Sequence, residues 1–293
     1  MALRSRDYHA RQRSSNLWAV VRCLSVHAEY RCQNRGDCCT SGWPIPDDLG
    51  GLLPMTAQGC AFHNAAQYRC EIQAAQGHHA LPLACRQFPR VSVTDPRGAS
   101  VTLSHYCPTA LSRLETFAGE LAIVTDAAAF PAGGEYVGLD ARTSLPPALT
   151  PHVLMDWDSW WEWERLAIEL FNCDESPREI LQRLSLAVEH ARTWKPGQGE
   201  LITRVREAFE KASFPGPKGP GLHRALLASH AFANWTAHLG EGLRTWLRSL
   251  ETVVFLLEEG WTMREIDLWL RHFADPRLLA RVWSAAERED ART

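Results

Sequence analysis

The chain has 293 residues, of which 45% are hydrophobic and 22% are charged, and its formal net charge is -3. These values are typical of a folded globular protein with a sizeable interior, built as one large domain or as two closely packed ones. The slight negative charge argues against nucleic acid or an anionic membrane as a partner.

The apolar runs of the chain are too short to cross a membrane. The longest are LWAVV at 17–21 and VVFLL at 253–257, whereas a helical span needs roughly 20 residues. The basic N-terminus also lacks the continuous apolar stretch and the cleavage site of a secretory signal. We therefore expect a cytoplasmic protein with no membrane partner, in which thiols stay reduced.

The N-terminal part is predicted to consist of a tail and a cysteine-rich domain. Residues 1–15 are polar and aperiodic, which predicts a flexible tail, and residues 16–125 are expected to form the cysteine-cluster domain. Frequent Gly and Pro, most of them between residues 36 and 59, predict that loops and single turns dominate residues 30–107. Two β-branched runs joined by DPRG at 95–98 predict a hairpin.

Residues 126–293 are expected to form a helical domain that begins with a Pro- and Gly-rich connector at 126–151. Capping boxes at Ser176–Glu179 and Thr262–Glu265 mark helix starts, and apolar residues recur with a helical period. The predicted fold is therefore mainly α, with an irregular cysteine-rich metal-cluster domain packed on a C-terminal α-helical bundle.

Seven of the nine cysteines lie close together in the sequence, on four separate segments. In a cytoplasmic chain, clustered cysteines bind metal or act in catalysis more often than they form disulfides. All seven are therefore candidate metal ligands: Cys32, Cys38, Cys39, Cys60, Cys70, Cys85 and Cys107.

The spacing of these cysteines favours a polynuclear centre over a single ion. Thiolates bind both zinc and iron-sulfur clusters, but seven thiols are more than one four-coordinate site can use. The vicinal pair Cys38-Cys39 with dispersed single partners suits an iron-sulfur cluster, with 4Fe-4S preferred and zinc as the alternative.

The cysteine motifs resemble those of the zinc- or iron-chelating cysteine-cluster family, which has a C-x2-C-x2-C-C signature, and within it those of the flagellin lysine-N-methylase group. The resemblance covers roughly residues 28–115. The matching motifs, in order, are YRC at 30–32, CCTSGW at 38–43, GCAF at 59–62, CEI at 70–72, CRQFPR at 85–90 and CP at 107–108.

One position departs from the family pattern. The second cysteine of the signature is replaced by Arg35, so that one thiolate is missing. Either this position is not a ligand in the family, or Cys23, a histidine or solvent takes its place here. Cys23 lies in an apolar run, where a buried small hydrophobe is the favoured interpretation.

The resemblance implies an iron-sulfur enzyme that transfers a methyl group from S-adenosylmethionine to lysine of a protein or peptide. The sequence contains neither a C-x3-C-x2-C motif nor a G-x-G-x-x-G loop after a predicted strand, so no standard S-adenosylmethionine site is visible in it. The alternative function is a non-catalytic module in which zinc or iron has a structural or metal-handling role.

Other polar residues near the cysteines have two interpretations each. Arg86 and Arg90 could bind a cluster sulfide, a carboxylate or a phosphate, or they could form structural ion pairs. Trp43 is expected to shield the site from water. The histidines could be ligands or could donate hydrogen bonds to the ligands, with His105 the best placed, although a surface or core role is favoured for each; they are His27, His63, His78, His79 and His105.

The tryptophan-rich run at 156–164 alternates acidic and aromatic residues. It could attract a lysine-bearing substrate, because amines favour carboxylates and aromatic faces. An amphipathic helix with its tryptophans packed inward is the favoured interpretation.

Overall fold

The computed structural model describes residues 20–212, 222–239 and 241–273. The predicted tail at 1–15 lies outside them. The described strands, in chain order, are β1 Val21–Leu24, β2 Met55–Thr56, β3 Gly59–Cys60, β4 His63–Asn64, β5 Arg69–Cys70, β6 Arg90–Asp95, β7 Gly98–Leu103, β8 Ile123–Thr125, β9 Leu139–Asp140, β10 Ala148–Thr150 and β11 Val153–Leu154.

Five of these strands form one mixed sheet in the order β8-β1-β7-β6-β9. β6 and β7 are the two arms of the predicted hairpin, with Arg90 opposite Leu103 and Asp95 opposite Gly98, so that prediction is confirmed. β1 joins the hairpin by pairing parallel with β7. A side chain at position 98 would clash with the main chain beside β1, because a Cβ there would lie 2.2 Å from the carbonyl oxygen of Val20.

The described helices follow one another through the second half of the chain. Both predicted capping boxes are confirmed, at Ser176 and at Thr262. The helices are α1 Glu71–Gln76, α2 Leu83–Gln87, α3 Pro108–Thr116, α4 Trp157–Leu170, α5 Pro177–Arg192, α6 Leu201–Ala212, α7 Leu222–Ala231, α8 Leu243–Glu258 and α9 Met263–Leu268, and a π-helical turn Trp269–Phe273 follows α9.

The two faces of the sheet contribute to two different cores, because successive strand residues point to opposite sides. Leu24 and Val93 face a large core shared with the helices, which includes the fully buried Trp160, Trp163 and Trp246. The tryptophan-rich run therefore packs inward as part of α4. The opposite face belongs to a smaller core formed by Val21, Cys23, Tyr30, Ala99, Val101, Leu103, Cys107, Ala110, Phe130 and Tyr136.

Buried ion pairs join the hairpin turn to the helices. Asp95 is 1% exposed and accepts hydrogen bonds from Arg97, whose guanidinium also contacts Glu164 of α4 at 2.9 Å. Arg97 lies over the ring of Trp161 as well, at 5.1 Å from its centroid. The hairpin is therefore held against α4 by charge as well as by apolar packing.

The prediction of a mainly α fold, with an irregular cysteine-rich metal-cluster domain packed on an α-helical bundle, is wrong. A five-stranded mixed sheet organises residues 21–140. The part of the chain that the structure describes also contains no group of three or more His, Cys, Asp or Glu side chains arranged to hold a metal ion. The sheet escaped prediction because β8 and β9 are two or three residues long, and because β1 pairs with a strand far along the chain.

The predicted boundary between residues 125 and 126 stays a prediction. β9 lies beyond it and pairs with β6, and the large core contains Leu114 and Leu121 together with residues of α4 to α9. No helix within the described residues has the length and hydropathy that a membrane span requires.

Candidate metal centre

All seven candidate cysteines line one cavity, although they come from four separate segments of the sequence. The cavity has a volume of about 540 Å³. Cys23 does not line it and lies instead in the small core at 1% exposure. The cavity cysteines are Cys32, Cys38, Cys39, Cys60, Cys70, Cys85 and Cys107.

Short local elements present these thiols to the cavity. Cys38 and Cys39 belong to a single 3₁₀ turn that begins after Gly36. Cys70 and Cys107 are the residues directly before helices α1 and α3. Each of these thiols therefore lies within a helical turn or directly before one.

Glycine allows two of the cysteine segments to approach each other. Gly59 in β3 has a φ of +115°, and a Cβ there would lie 2.3 Å from the carbonyl oxygen of Cys39. Only glycine combines this backbone conformation with this close contact. The approach brings Cys60, the next residue of β3, beside the Cys38-Cys39 turn.

The thiols differ in their exposure and their partners. Cys60 and Cys107 are buried, Cys32 is exposed and the others are half-buried. Cys107 Sγ lies 3.6 Å from the hydroxyl of Tyr30, which can donate to it. Cys32 Sγ accepts a hydrogen bond from the backbone N–H of Asn34 at 3.4 Å.

Four of the cavity thiols resist ionisation. Burial raises the pKa of Cys85 to about 12, and neighbouring cavity thiols add to the shift. The pKa of Cys38 is raised first by its hydrogen bond with Cys39 and then by burial, and burial raises the pKa values of Cys60 and Cys107. Because a metal binds the thiolate, metal binding at neutral pH must release these protons.

Of the five histidines considered from the sequence, His78 is the one that lines the cavity. His105, the best placed candidate although a surface or core role was favoured for it, is fully buried outside the cavity lining: its Nε2 lies 3.2 Å from His27 Nε2 and its backbone N–H donates to Asp267. The ring of His63 packs on Gly36. His105 and His27 thus belong to a buried polar network behind the cavity.

Asp267 is the centre of that network, and the sequence analysis did not identify it. Its carboxylate is fully buried and contacts His230 Nε2 at 2.8 Å and Arg271 Nε at 3.7 Å. The Arg271 guanidinium holds the pKa of Asp267 well below its usual range, against the effect of burial. An acidic residue on the buried side of the short helix α9 was the available sequence signal.

The π-helical turn after α9 forms one wall of the cavity, which was also unexpected. Arg271 and His272 both line the cavity. The ring of His272 stacks on Trp43 at a centroid distance of 4.3 Å, and Trp43 also contacts Tyr106 at 4.9 Å. Trp43 and His272 thus form a stacked pair in the cavity lining, and the shielding role expected of Trp43 stays a prediction. π-Helical turns occur frequently at functional sites.

Arg86 and Arg90 have different environments, although both line the cavity. Arg86 pairs with Glu135 at 3.2 Å and with Asp48 at 3.6 Å, and it also donates to the carbonyl oxygen of Leu81. Arg86 thus forms structural ion pairs with these two carboxylates. Arg90 donates to the carbonyl oxygen of Arg86 at 3.3 Å and lies 5.9 Å from the centroid of the Tyr136 ring.

Arg35 stands where the family that the cysteine motifs resemble has a further cysteine. Arg35 itself lines the cavity, next to the Cys38-Cys39 turn, and its side chain is exposed. Cys23 does not replace the thiolate, because it lies in the small core away from the cavity lining. The alternatives that stay open are His78, solvent, or no ligand at this position.

No protein-family model, no curated protein and no solved structure matches this chain.

Proposed function

We propose that this chain is an iron-sulfur protein whose cavity cysteines hold the cluster. The observation that carries the proposal is the presence of seven thiols, from four separate segments, in the lining of one cavity. Thiolate is the ligand that iron-sulfur clusters take from proteins, usually four at a time. The cavity therefore offers thiols of the right kind and in sufficient number, and because no three of the described donors are arranged to hold a metal ion, cluster binding would have to draw four of them together.

The donor chemistry fits the cluster, and surrounding residues would tune it. Bound there, the cluster would supply redox or Lewis-acid chemistry. The hydroxyl of Tyr30, 3.6 Å from Cys107 Sγ, would donate to the ligand sulfur, which raises a cluster's reduction potential. Trp43, stacked on His272, would limit the access of water.

The activity implied by the family resemblance extends the proposal. We infer a methyltransferase that moves a methyl group from S-adenosylmethionine to a lysine amine of a protein or peptide, in the cytoplasm and without nucleic acid or membrane. The support for this activity is the resemblance of the cysteine motifs. A cavity of about 540 Å³ has room for a small molecule, since ligand pockets range from about 300 to 1,000 Å³.

The cluster is tested by anaerobic purification followed by absorption spectroscopy and iron, sulfide and zinc analysis. We expect brown protein that absorbs around 400 nm and contains iron and sulfide together. Colourless protein with stoichiometric zinc would contradict the proposal and support the non-catalytic module instead.

The methyltransferase activity is tested separately, by calorimetric titration of the cluster-replete protein with S-adenosylmethionine. We expect saturable binding. If the cofactor does not bind to protein whose cluster content is complete, the methyltransferase proposal fails while the iron-sulfur proposal stands.

A further inference from the structure

The cavity is unusually basic for one that is lined by thiols. Of the described residues that line it, five are arginines and one is acidic: Arg35, Arg69, Arg86, Arg90, Arg271 and Asp37. A guanidinium is always charged and costs free energy when it is taken from water without a partner. Each of these charges therefore needs a counter-ion or access to solvent.

Most of these charges have their counter-ion outside the cavity lining. Arg86 pairs with Glu135 and Asp48, as described above. Arg271 contacts Asp267 at 3.7 Å, and Arg69 contacts Glu71 at 3.8 Å. The single acidic residue, Asp37, pairs with Arg264 of α9 at 3.0 Å. These groups are neutralised by the protein itself.

Arg35 and Arg90 are left without a carboxylate within 4.0 Å, as far as the described residues extend. Arg35 is exposed, so that water solvates its charge. Arg90 is half-buried at the start of β6. Its Nη1 donates to the carbonyl oxygen of Arg86, which leaves the Nε–Nη2 edge of the fork without a hydrogen-bond partner among the described residues. This edge is the one that binds a carboxylate through two parallel hydrogen bonds.

The cavity around these groups is otherwise suited to an organic molecule. Its lining includes apolar side chains from three segments, among them Ile45, Leu53, Phe62, Ile72 and Leu81. Pockets for small molecules combine such apolar walls with a few polar groups that set the orientation of the ligand.

We propose that the cavity binds a small organic carboxylate, whose carboxylate group pairs with the Nε–Nη2 edge of Arg90 while its apolar part lies against the cavity wall. This site is additional to the proposed cluster and does not depend on the identity of the metal. A carboxylate fits better than a phosphate, because one free guanidinium edge matches two carboxylate oxygens and leaves a phosphate dianion partly unpaired.

The proposal is tested with pairs of probes that differ in charge alone. Benzoate and butyrate are compared with benzamide and butyramide, by calorimetric titration of the protein as purified, with its metal content measured in every sample. We expect each carboxylate to bind at least about tenfold more tightly than its amide, since a charge-assisted hydrogen bond contributes this much discrimination. Equal affinities, or no binding of either carboxylate, would refute the proposal.

Substitution of Arg90 tests whether this residue binds the carboxylate. In Arg90→Gln we expect the affinity for the carboxylates to fall about tenfold, to the level of the amides. Arg90→Lys, which keeps the charge without the fork, should lie in between. Arg165→Gln is the matched control, because it removes the same charge from an exposed ion pair on α4 and should change the affinity less than about twofold.

Three further outcomes would overturn the assignment. If Arg90→Gln lowers the metal content and leaves the difference between carboxylate and amide unchanged, Arg90 serves the metal centre. If inorganic phosphate displaces benzoate and binds more tightly, the ligand class is wrong. If Arg90→Gln does not fold, as judged by circular dichroism, the decision rests on Arg90→Lys, and wild-type affinity in that variant contradicts bidentate recognition.

Discussion

At the scale of single residues, the structure separates cysteines that the sequence presents as similar. Cys85 lines the cavity, whereas Cys23 is packed between strands in the small core at 1% exposure. Burial raises the pKa values of both thiols to about 12. The pKa values therefore do not distinguish the two cysteines, whereas their positions do: Cys85 lines the cavity and Cys23 lies in the small core.

This difference predicts distinct effects of substitution. We expect Cys39→Ser and Cys85→Ser to lower the metal content of the purified protein by more than half, because each removes a cavity thiol. Cys23→Ser should retain the metal and lose about 1–3 kcal/mol of unfolding free energy, since it places a hydroxyl in an apolar core. Metal analysis and urea unfolding of the three variants test this, and equal metal loss in all three would contradict the ligand assignment.

The different environments of Arg86 and Arg90 could not be predicted from the sequence around each residue. Both were expected either to bind an anion or to form ion pairs, and the structure assigns the ion pair to Arg86. Its partner Glu135 lies 49 residues away in the sequence. No local pattern connects the two, so the choice could not be made before the fold was known.

At the scale of elements, local signals predicted what local interactions determine. The hairpin formed because its turn residues and β-branched arms are adjacent in sequence. The capping boxes began helices because each box satisfies the first backbone N–H groups of its own helix. The pairing of β1 with β7 joins residues that are far apart in the sequence, such as Arg22 and Ser100, which are separated by 78 positions. The sequence did not predict this pairing.

The contact between the hairpin and α4 predicts the cost of breaking a buried ion pair. Glu164 is 3% exposed and contacts Arg97. We expect Glu164→Ala to lower the unfolding free energy by about 2–3 kcal/mol, because it leaves Arg97 with Asp95 as its remaining partner. Chemical denaturation measures this loss.

Glu169→Ala is the control for that measurement, because Glu169 lies on the same helix in an exposed ion pair with Arg165. Its effect should stay within about 0.5 kcal/mol. Equal losses in the two variants would show that burial of the Glu164–Arg97 pair contributes nothing.

At the scale of the whole molecule, three partly buried histidines link stability to pH. Burial lowers the pKa values of His230, His238 and His272 to about 4, from an ordinary value of 6.5. Between these values the unfolded chain binds protons that the folded protein does not. Stability is therefore complete above about pH 6.5 and falls as the pH decreases towards 4.

His238 tests this linkage away from the cysteines. It lies near the rings of Trp157 and Trp160, and Asp95 raises its pKa while Arg97 lowers it. Its share of the loss is up to about 3 kcal/mol. Urea unfolding between about pH 7.5 and pH 5 should show a smaller decline for His238→Gln than for the wild type; parallel declines would assign the pH dependence to other groups.

Residues of the C-terminal helical part contact the cysteine cavity. The Arg264–Asp37 ion pair and the stacking of His272 on Trp43 both join the segment around α9 to the region of the Cys38-Cys39 turn. The cavity is therefore completed by residues more than 150 positions apart along the chain. Its C-terminal wall could not be identified from the cysteine motifs, which end at Cys107.

The sequence by itself determined the candidate ligands, the hairpin and the helix starts, because composition, turn residues and caps act over a few neighbouring positions. The mixed sheet, the meeting of seven thiols at one cavity and the difference between Arg86 and Arg90 were decided by the tertiary structure alone. Each of these depends on contacts between distant segments, and such contacts form only when the folded chain buries its apolar surface.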